Sequence, residues 1–77
     1  MIHFALMRDP LEGELKVFEI ISDSIIKDSL RANIVWPKDA GWWGQYVPRS
    51  CILVQLTVNS LDEFLAEAVS IYPEIFL

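Results

Sequence analysis

The sequence predicts an α+β domain with a ferredoxin-like split β-α-β arrangement, in which two helices cover one face of an antiparallel sheet. Two capping boxes carry this prediction, because each is followed by apolar residues at helical spacing. A third observation is the alternating run of residues 51–58, which is typical of a strand. In chain order the predicted elements read β-α-β-β-α-β.

The first predicted elements are a short strand and a long helix. Residues 2–8 alternate and precede a proline, as strands before turns do. The motif Asp9-Pro10-Leu11-Glu12 has the residues of a helix start. A helix over residues 10–31 follows from an apolar stripe, which comprises Leu11, Leu15, Phe18, Ile21, Ile25 and Ile26. Residues 14–21 also favour a strand, so a hairpin of 2–8 with 14–21, followed by a short helix, is the alternative.

The second half of the chain supplies the remaining elements. Residues 34–36 predict a short strand, and a long connection leads from Pro37 to Arg49. The strand 51–58 would place four apolar residues on one face, namely Ile52, Val54, Leu56 and Val58. A Ser60-Leu61-Asp62-Glu63 capping box predicts a helix near 60–72, and residues 74–77 are apolar enough for a last strand.

Residues 51–73 run from a hydrophobic strand into Ser-Leu-Asp-Glu-Phe-Leu-Ala-Glu-Ala and end in proline. This segment resembles the strand–helix unit of YCII-related and other dimeric α+β-barrel domains. The resemblance covers less than a third of the chain, and neither that family's His/Asp catalytic pattern nor its Asp-Gly-Pro-Phe signature is present. It implies no functional residue.

The composition predicts one domain, residues 1–77, with more apolar side chains than a small core can bury. Hydrophobic residues make up 53% of the chain, which predicts a homodimer or a tightly bound partner. Eleven acidic and six basic residues give a net charge of −5. This balance argues against binding to nucleic acid, which depends on Lys and Arg, and against an anionic membrane surface.

Cysteine usage and hydropathy predict a cytoplasmic protein. Cys51 is the only cysteine, so an intramolecular disulfide is impossible and a reducing compartment fits. No apolar run approaches the roughly 18 residues of a membrane span. The apolar segment Met1–Met7 lacks the basic n-region of a secretory signal and is followed directly by Arg8, so it is not expected to be a signal peptide.

All three tryptophans, Trp36, Trp42 and Trp43, fall in one Pro/Gly-punctuated segment that is followed by Tyr46. Three interpretations remain open: the indoles cover one end of the sheet as core, anchor a protein partner, or line a small-molecule pocket. Neighbouring side chains of an extended chain point to opposite sides, so burial of Trp42 or Trp43 would present the other outward. These four aromatic residues are the candidate protein-binding residues.

The sequence predicts no catalytic site, metal or cofactor. His3 is the only histidine, and no carboxylate lies at a strand spacing that would orient it as an acid or base. Cys51 begins a β-branched strand and is interpreted as a small buried hydrophobe. One His and one Cys are too few for a structural metal site, and the glycines form no phosphate-binding loop.

The predicted sheet face opposite the helices is uncharged, whereas sheet surfaces in solvent usually carry Lys, Glu or Arg. Such a face loses little on desolvation, so we predict that it forms a homodimer. The expected interface residues are Ala5, Met7, Cys51, Leu53 and Gln55.

Together these features predict a small acidic, non-catalytic protein-binding module such as a regulator, inhibitor or assembly factor. The first alternative is a small dimeric α+β-barrel enzyme or ligand binder with a pocket of His3, Trp36 and Tyr46. The second is a phage-type inhibitor whose acidic surface mimics nucleic acid.

Overall fold

A computed structural model describes residues 1–9, 13–26, 29–37 and 46–76. Its described residues form one antiparallel sheet of five strands with a single α-helix after it. The strands are β1 (Ile2–Arg8), β2 (Leu15–Ile26), β3 (Ser29–Trp36), β4 (Tyr46–Pro48) and β5 (Ile52–Val58). A 3-10 turn, Arg49–Cys51, joins β4 to β5; helix α1 is Leu61–Ile71, and a second 3-10 turn, Pro73–Phe76, follows it.

The predicted ferredoxin-like fold with two helices is wrong. Most of the predicted helix over 10–31 is strand, since β2 and β3 pair with each other in an antiparallel hairpin. The expected last strand over 74–77 is replaced by the 3-10 turn Pro73–Phe76. The hairpin of 2–8 with 14–21 in the alternative prediction is confirmed, because Phe4 pairs with Glu19 and Arg8 with Leu15. The short helix expected after that hairpin is wrong, because the described residues that follow continue β2 to Ile26 and then form β3.

The helical periodicity of β2 was misleading because both faces of this central strand are covered. Lys16, Val17 and Phe18 are buried in succession, so the alternation that marks a half-exposed strand is lost. Register shifts between Ile20 and Ser22 and again before Ile26 change the phase of the pattern further.

Asp9 begins a tight hairpin loop instead of capping a helix. The amide of Gly13 donates to the Asp9 carbonyl (2.8 Å), and the Asp9 amide donates to the Glu14 carbonyl (2.8 Å). Gly13 has a φ of 75°, a conformation that glycine adopts without steric cost. The other residues of the predicted cap, Pro10 to Glu12, lie outside the described residues.

The sheet is strongly curled, and chain connectivity requires this. β4 and β5 lie at opposite ends of the strand order β4-β3-β2-β1-β5, yet only Arg49–Cys51 separates them in sequence. Four residue steps span at most about 14 Å, whereas four strand spacings of a flat sheet amount to about 19 Å. The result is an antiparallel half-barrel.

Two hydrophobic clusters lie on the two faces of this sheet. The first lies under α1 and comprises Phe4, Leu6, Val17, Val54, Val58, Phe64, Ala68 and Ile75. The second fills the inside of the curl and comprises Ala5, Met7, Phe18, Ile20, Ala32 and Val47. Helix α1 is anchored by Phe64, whose ring centroid is 5.5 Å from that of Phe4. Its start is the predicted cap, because Ser60 Oγ accepts from the Glu63 amide.

Candidate functional site

The aromatic candidates do not form one exposed cluster among the described residues. Trp36 ends β3, is half-buried and packs against the first cluster. Tyr46 begins β4 opposite Arg31 and is 44% exposed. Trp42 and Trp43 lie outside the described residues, so their role stays a prediction.

The residues of the predicted dimer interface differ sharply in exposure. Ala5 and Met7 are 0% and 2% exposed, because the curled sheet covers them with its own strands β2 to β4. Cys51 is half-buried against the same cluster. Leu53 is 40% exposed and Gln55 is also exposed. The homodimer stays a prediction, and in this fold Leu53 and Gln55 are the members available to a partner.

The side chain of Leu53 is presented outward by a β-bulge. Leu6 pairs with Val54 and the next residue, Met7, pairs with Ile52, so Leu53 has no partner position on β1. The bulge also reverses the facing of the residue before it. Ile52 therefore packs against the second cluster, whereas Val54 belongs to the first, and the expectation that they share a face is wrong.

The outer edge of Ile52–Val58, hereafter the β5 edge, is a candidate contact site. Within the described residues β5 has β1 on one side and no strand on the other. The strand has seven residues, Ile-Leu-Val-Gln-Leu-Thr-Val, with neither a charge nor a proline. An exposed edge without such features offers unpaired backbone groups to another strand.

The opposite edge of the sheet has a different character. In the described residues β4 has only three residues and ends in Pro48, which has no amide hydrogen to donate. Short edge strands and prolines are the usual means by which proteins prevent edge-to-edge association. Within the described residues, the β4 edge therefore carries two such protective features, whereas the β5 edge carries only the bulge at Leu53.

Polar neutral side chains line the β5 edge on the face away from α1. Gln55 Nε2 lies 2.8 Å from His3 Nε2, so the amide donates and the ring nitrogen accepts. Thr57 is exposed and pairs with His3 across the ladder. Because His3 is on this face and Trp36 packs on the other, the pocket of His3, Trp36 and Tyr46 expected for an enzyme is not formed in the described residues.

The two ends of the β5 edge have opposite charge. Exposed Arg49 lies in the turn before the strand. Asp62 and Glu63 lie in the first turn of α1 after it, and Asp62 is exposed. An extended partner would therefore meet a cation at one end and carboxylates at the other.

A separate polar cluster fastens the C-terminal turn to the β1–β2 loop. Arg8 donates to Tyr72 Oη (3.0 Å), Glu74 Oε2 (2.9 Å) and the Gly13 carbonyl (2.9 Å). The hydrogen bond to Tyr72, and then that to Glu74, raise the pKa of Arg8.

An open cleft of about 570 Å³ adjoins this cluster and is lined by Gly13, Glu14, Leu15 and Ile75 besides Arg8 and Glu74. Arg8 already donates to several acceptors there. We therefore interpret the cluster as a structural fastening. Sequence reasoning missed it, because no local pattern relates Arg8 to residues more than sixty positions away.

No helix in the described part of the chain is long and apolar enough to cross a membrane. Among the same residues, no three His, Cys, Asp or Glu side chains converge where they could hold a metal ion. No family model, curated protein or solved structure matches the chain.

Proposed function

We propose that this chain is a small, non-catalytic protein-binding module whose docking site is the β5 edge. The observation that carries the proposal is the contrast between the two sheet edges. The short β4 edge ends in a proline, whereas β5 offers seven uncharged residues. Strand addition to such an edge is a common mode of peptide and protein recognition.

The side chains around this edge support the same function. Leu53 supplies exposed apolar area, and Gln55 and Thr57 carry no charge, so a partner would not have to desolvate an ion there. Tyr46 is a further exposed aromatic contact candidate on β4, and Trp42 and Trp43 remain candidate anchors.

The test is affinity capture from the native cell with the wild-type chain and with Leu53→Lys. A lysine on an edge strand opposes pairing with a second strand, so the proteins captured by the wild-type chain should be lost. Ser70→Lys is the matched control, because it adds the same charge at an exposed position of α1. Far-UV circular dichroism checks that both variants fold. Equal capture by wild type and Leu53→Lys would contradict the proposal.

A further inference from the structure

We infer that the β5 edge binds the β5 edge of a second copy, antiparallel and about a two-fold axis near Gln55. The two five-stranded sheets would then continue into each other across the dimer. This inference rests on the proposed function and names the partner of the same site. It also replaces the expected face-to-face dimer with an edge-to-edge one, since Ala5 and Met7 are covered within each copy.

Self-pairing of this strand avoids like-charge repulsion along its length. About an axis at Gln55, Leu53 of one copy lies opposite Thr57 of the other, and the two Gln55 side chains face each other. None of these residues is charged, although each copy carries a net charge of −5. Directly opposed like charges would destabilise a strand pair, and here there are none.

Charge at the strand ends selects both the partner and the orientation. Arg49 lies three residues before the start of β5, and Asp62 lies four residues after its end. Antiparallel pairing therefore brings Arg49 of each copy beside Asp62 of the other, and the two-fold axis generates this contact twice. Parallel pairing would instead place Arg49 beside Arg49 and carboxylates beside carboxylates.

The bulge at Leu53 limits the strength of the dimer. It interrupts the ladder near the start of β5 and leaves Val54–Val58 in regular register with β1. Bulges weaken edge pairing, so a short ladder with two exposed ion pairs is expected to form a weak dimer. Because exposed ion pairs are screened by salt, its dissociation constant should rise with ionic strength.

Sedimentation of the full chain from low micromolar to near-millimolar concentration tests this inference. The wild type should show a reversible monomer–dimer equilibrium. Arg49→Glu and Asp62→Arg should each weaken the dimer by about tenfold, because each puts like charges together twice. The double variant Arg49→Glu/Asp62→Arg should recover most of the loss, since it restores opposite charges.

Glu67→Arg is the matched control for Asp62→Arg. It makes the same charge change at an exposed residue of α1, about 140° around the helix axis from Asp62, and should leave dimerisation nearly unchanged. Hydrogen exchange should also show β5 amides that gain protection only as protein concentration rises.

Three outcomes would overturn the inference: a monomer at every concentration, equal weakening by Asp62→Arg and Glu67→Arg, or no recovery in the double variant. A monomer that still captures another protein, in a manner lost with Leu53→Lys, would leave the proposed function standing. A monomer whose capture is unaffected by Leu53→Lys would remove both.

Discussion

At the residue scale, Lys16 is the clearest case of a burial that the hydrophobicity pattern does not predict. It is a charged residue outside the apolar stripe of the predicted helix, but in the structure it is 3% exposed and pairs with Met7 on β1. Its Nζ is 2.9 Å from Asp9 Oδ2. A buried ammonium requires such a partner, and only the closure of the β1–β2 hairpin brings the two residues together.

Removing either member of this pair should have unequal effects on stability. Asp9→Ala removes the carboxylate that lies 2.9 Å from the buried ammonium and should lower the free energy of unfolding by about 3 kcal/mol. Lys16→Met should cost less, about 1 kcal/mol, because it replaces the ammonium with an apolar group of similar length. The Asp9 carboxylate, 15% exposed, is also nearer to solvent than the Lys16 side chain, 4% exposed.

Urea denaturation measures both changes. Glu14→Gln is the control, because it removes a negative charge from an exposed residue of the same loop. It should change stability by less than about 0.5 kcal/mol. A Lys16→Met variant less stable than Asp9→Ala would show that the pair is not held in this way.

At the element scale, the sequence predicted the elements that local interactions determine and missed those that tertiary burial determines. Strand β1, strand β5 and helix α1 were found because their caps and alternation lie within each segment. Strand β2 was missed because its pattern reflects two clusters on opposite faces, which no local window contains. Gly13 was an available signal, since a glycine four residues after Asp9 fits a hairpin loop better than a helix interior.

The β1–β2 loop gives a direct test at this scale. Gly13 has a φ of 75°, and a Cβ added there would meet nothing within 4 Å, so only backbone strain opposes substitution. Gly13→Ala should lower the free energy of unfolding by about 1 kcal/mol. Gly13→Asn should cost less, because asparagine tolerates the left-handed conformation better.

Thermal unfolding followed by circular dichroism gives the order of the three proteins. We expect wild type to be most stable, followed by Gly13→Asn and then Gly13→Ala. An alanine variant as stable as the asparagine variant would mean that this loop does not hold the left-handed conformation.

At the scale of the whole molecule, the position of the site depends on how the sheet curls. The sequence predicted an open neutral face and named Leu53 and Gln55 on it, and these residues are exposed. It could not predict that Ala5 and Met7 would be covered, because most of the covering strands β2 to β4 comes from segments predicted to be a helix or a connection. That β5 ends the strand order of the described residues depends on strand pairings between distant parts of the chain, which no local segment contains.

We expect the curl of the sheet to depend on Val47. Val47 is 0% exposed and is the buried residue of β4, between exposed Tyr46 and Pro48. It belongs to the same hydrophobic cluster as Ala5 and Met7 of β1. Its side chain therefore joins β4 to a cluster that reaches β1, although β3 and β2 lie between these two strands in the sheet. Val47→Ala removes two buried methyl groups and should lower the free energy of unfolding by about 2 kcal/mol.

Val69→Ala is the matched control, because Val69 is only half-buried on α1, and it should cost clearly less in the same denaturation experiment. Loosening β4 should also expose the second cluster, so hydrogen exchange in β1 should increase more in Val47→Ala than in Val69→Ala. Equal losses of stability and equal exchange in the two variants would contradict a curl held closed by β4. If the losses differ as expected, the packing of Val47 against the second cluster is what keeps Ala5 and Met7 covered.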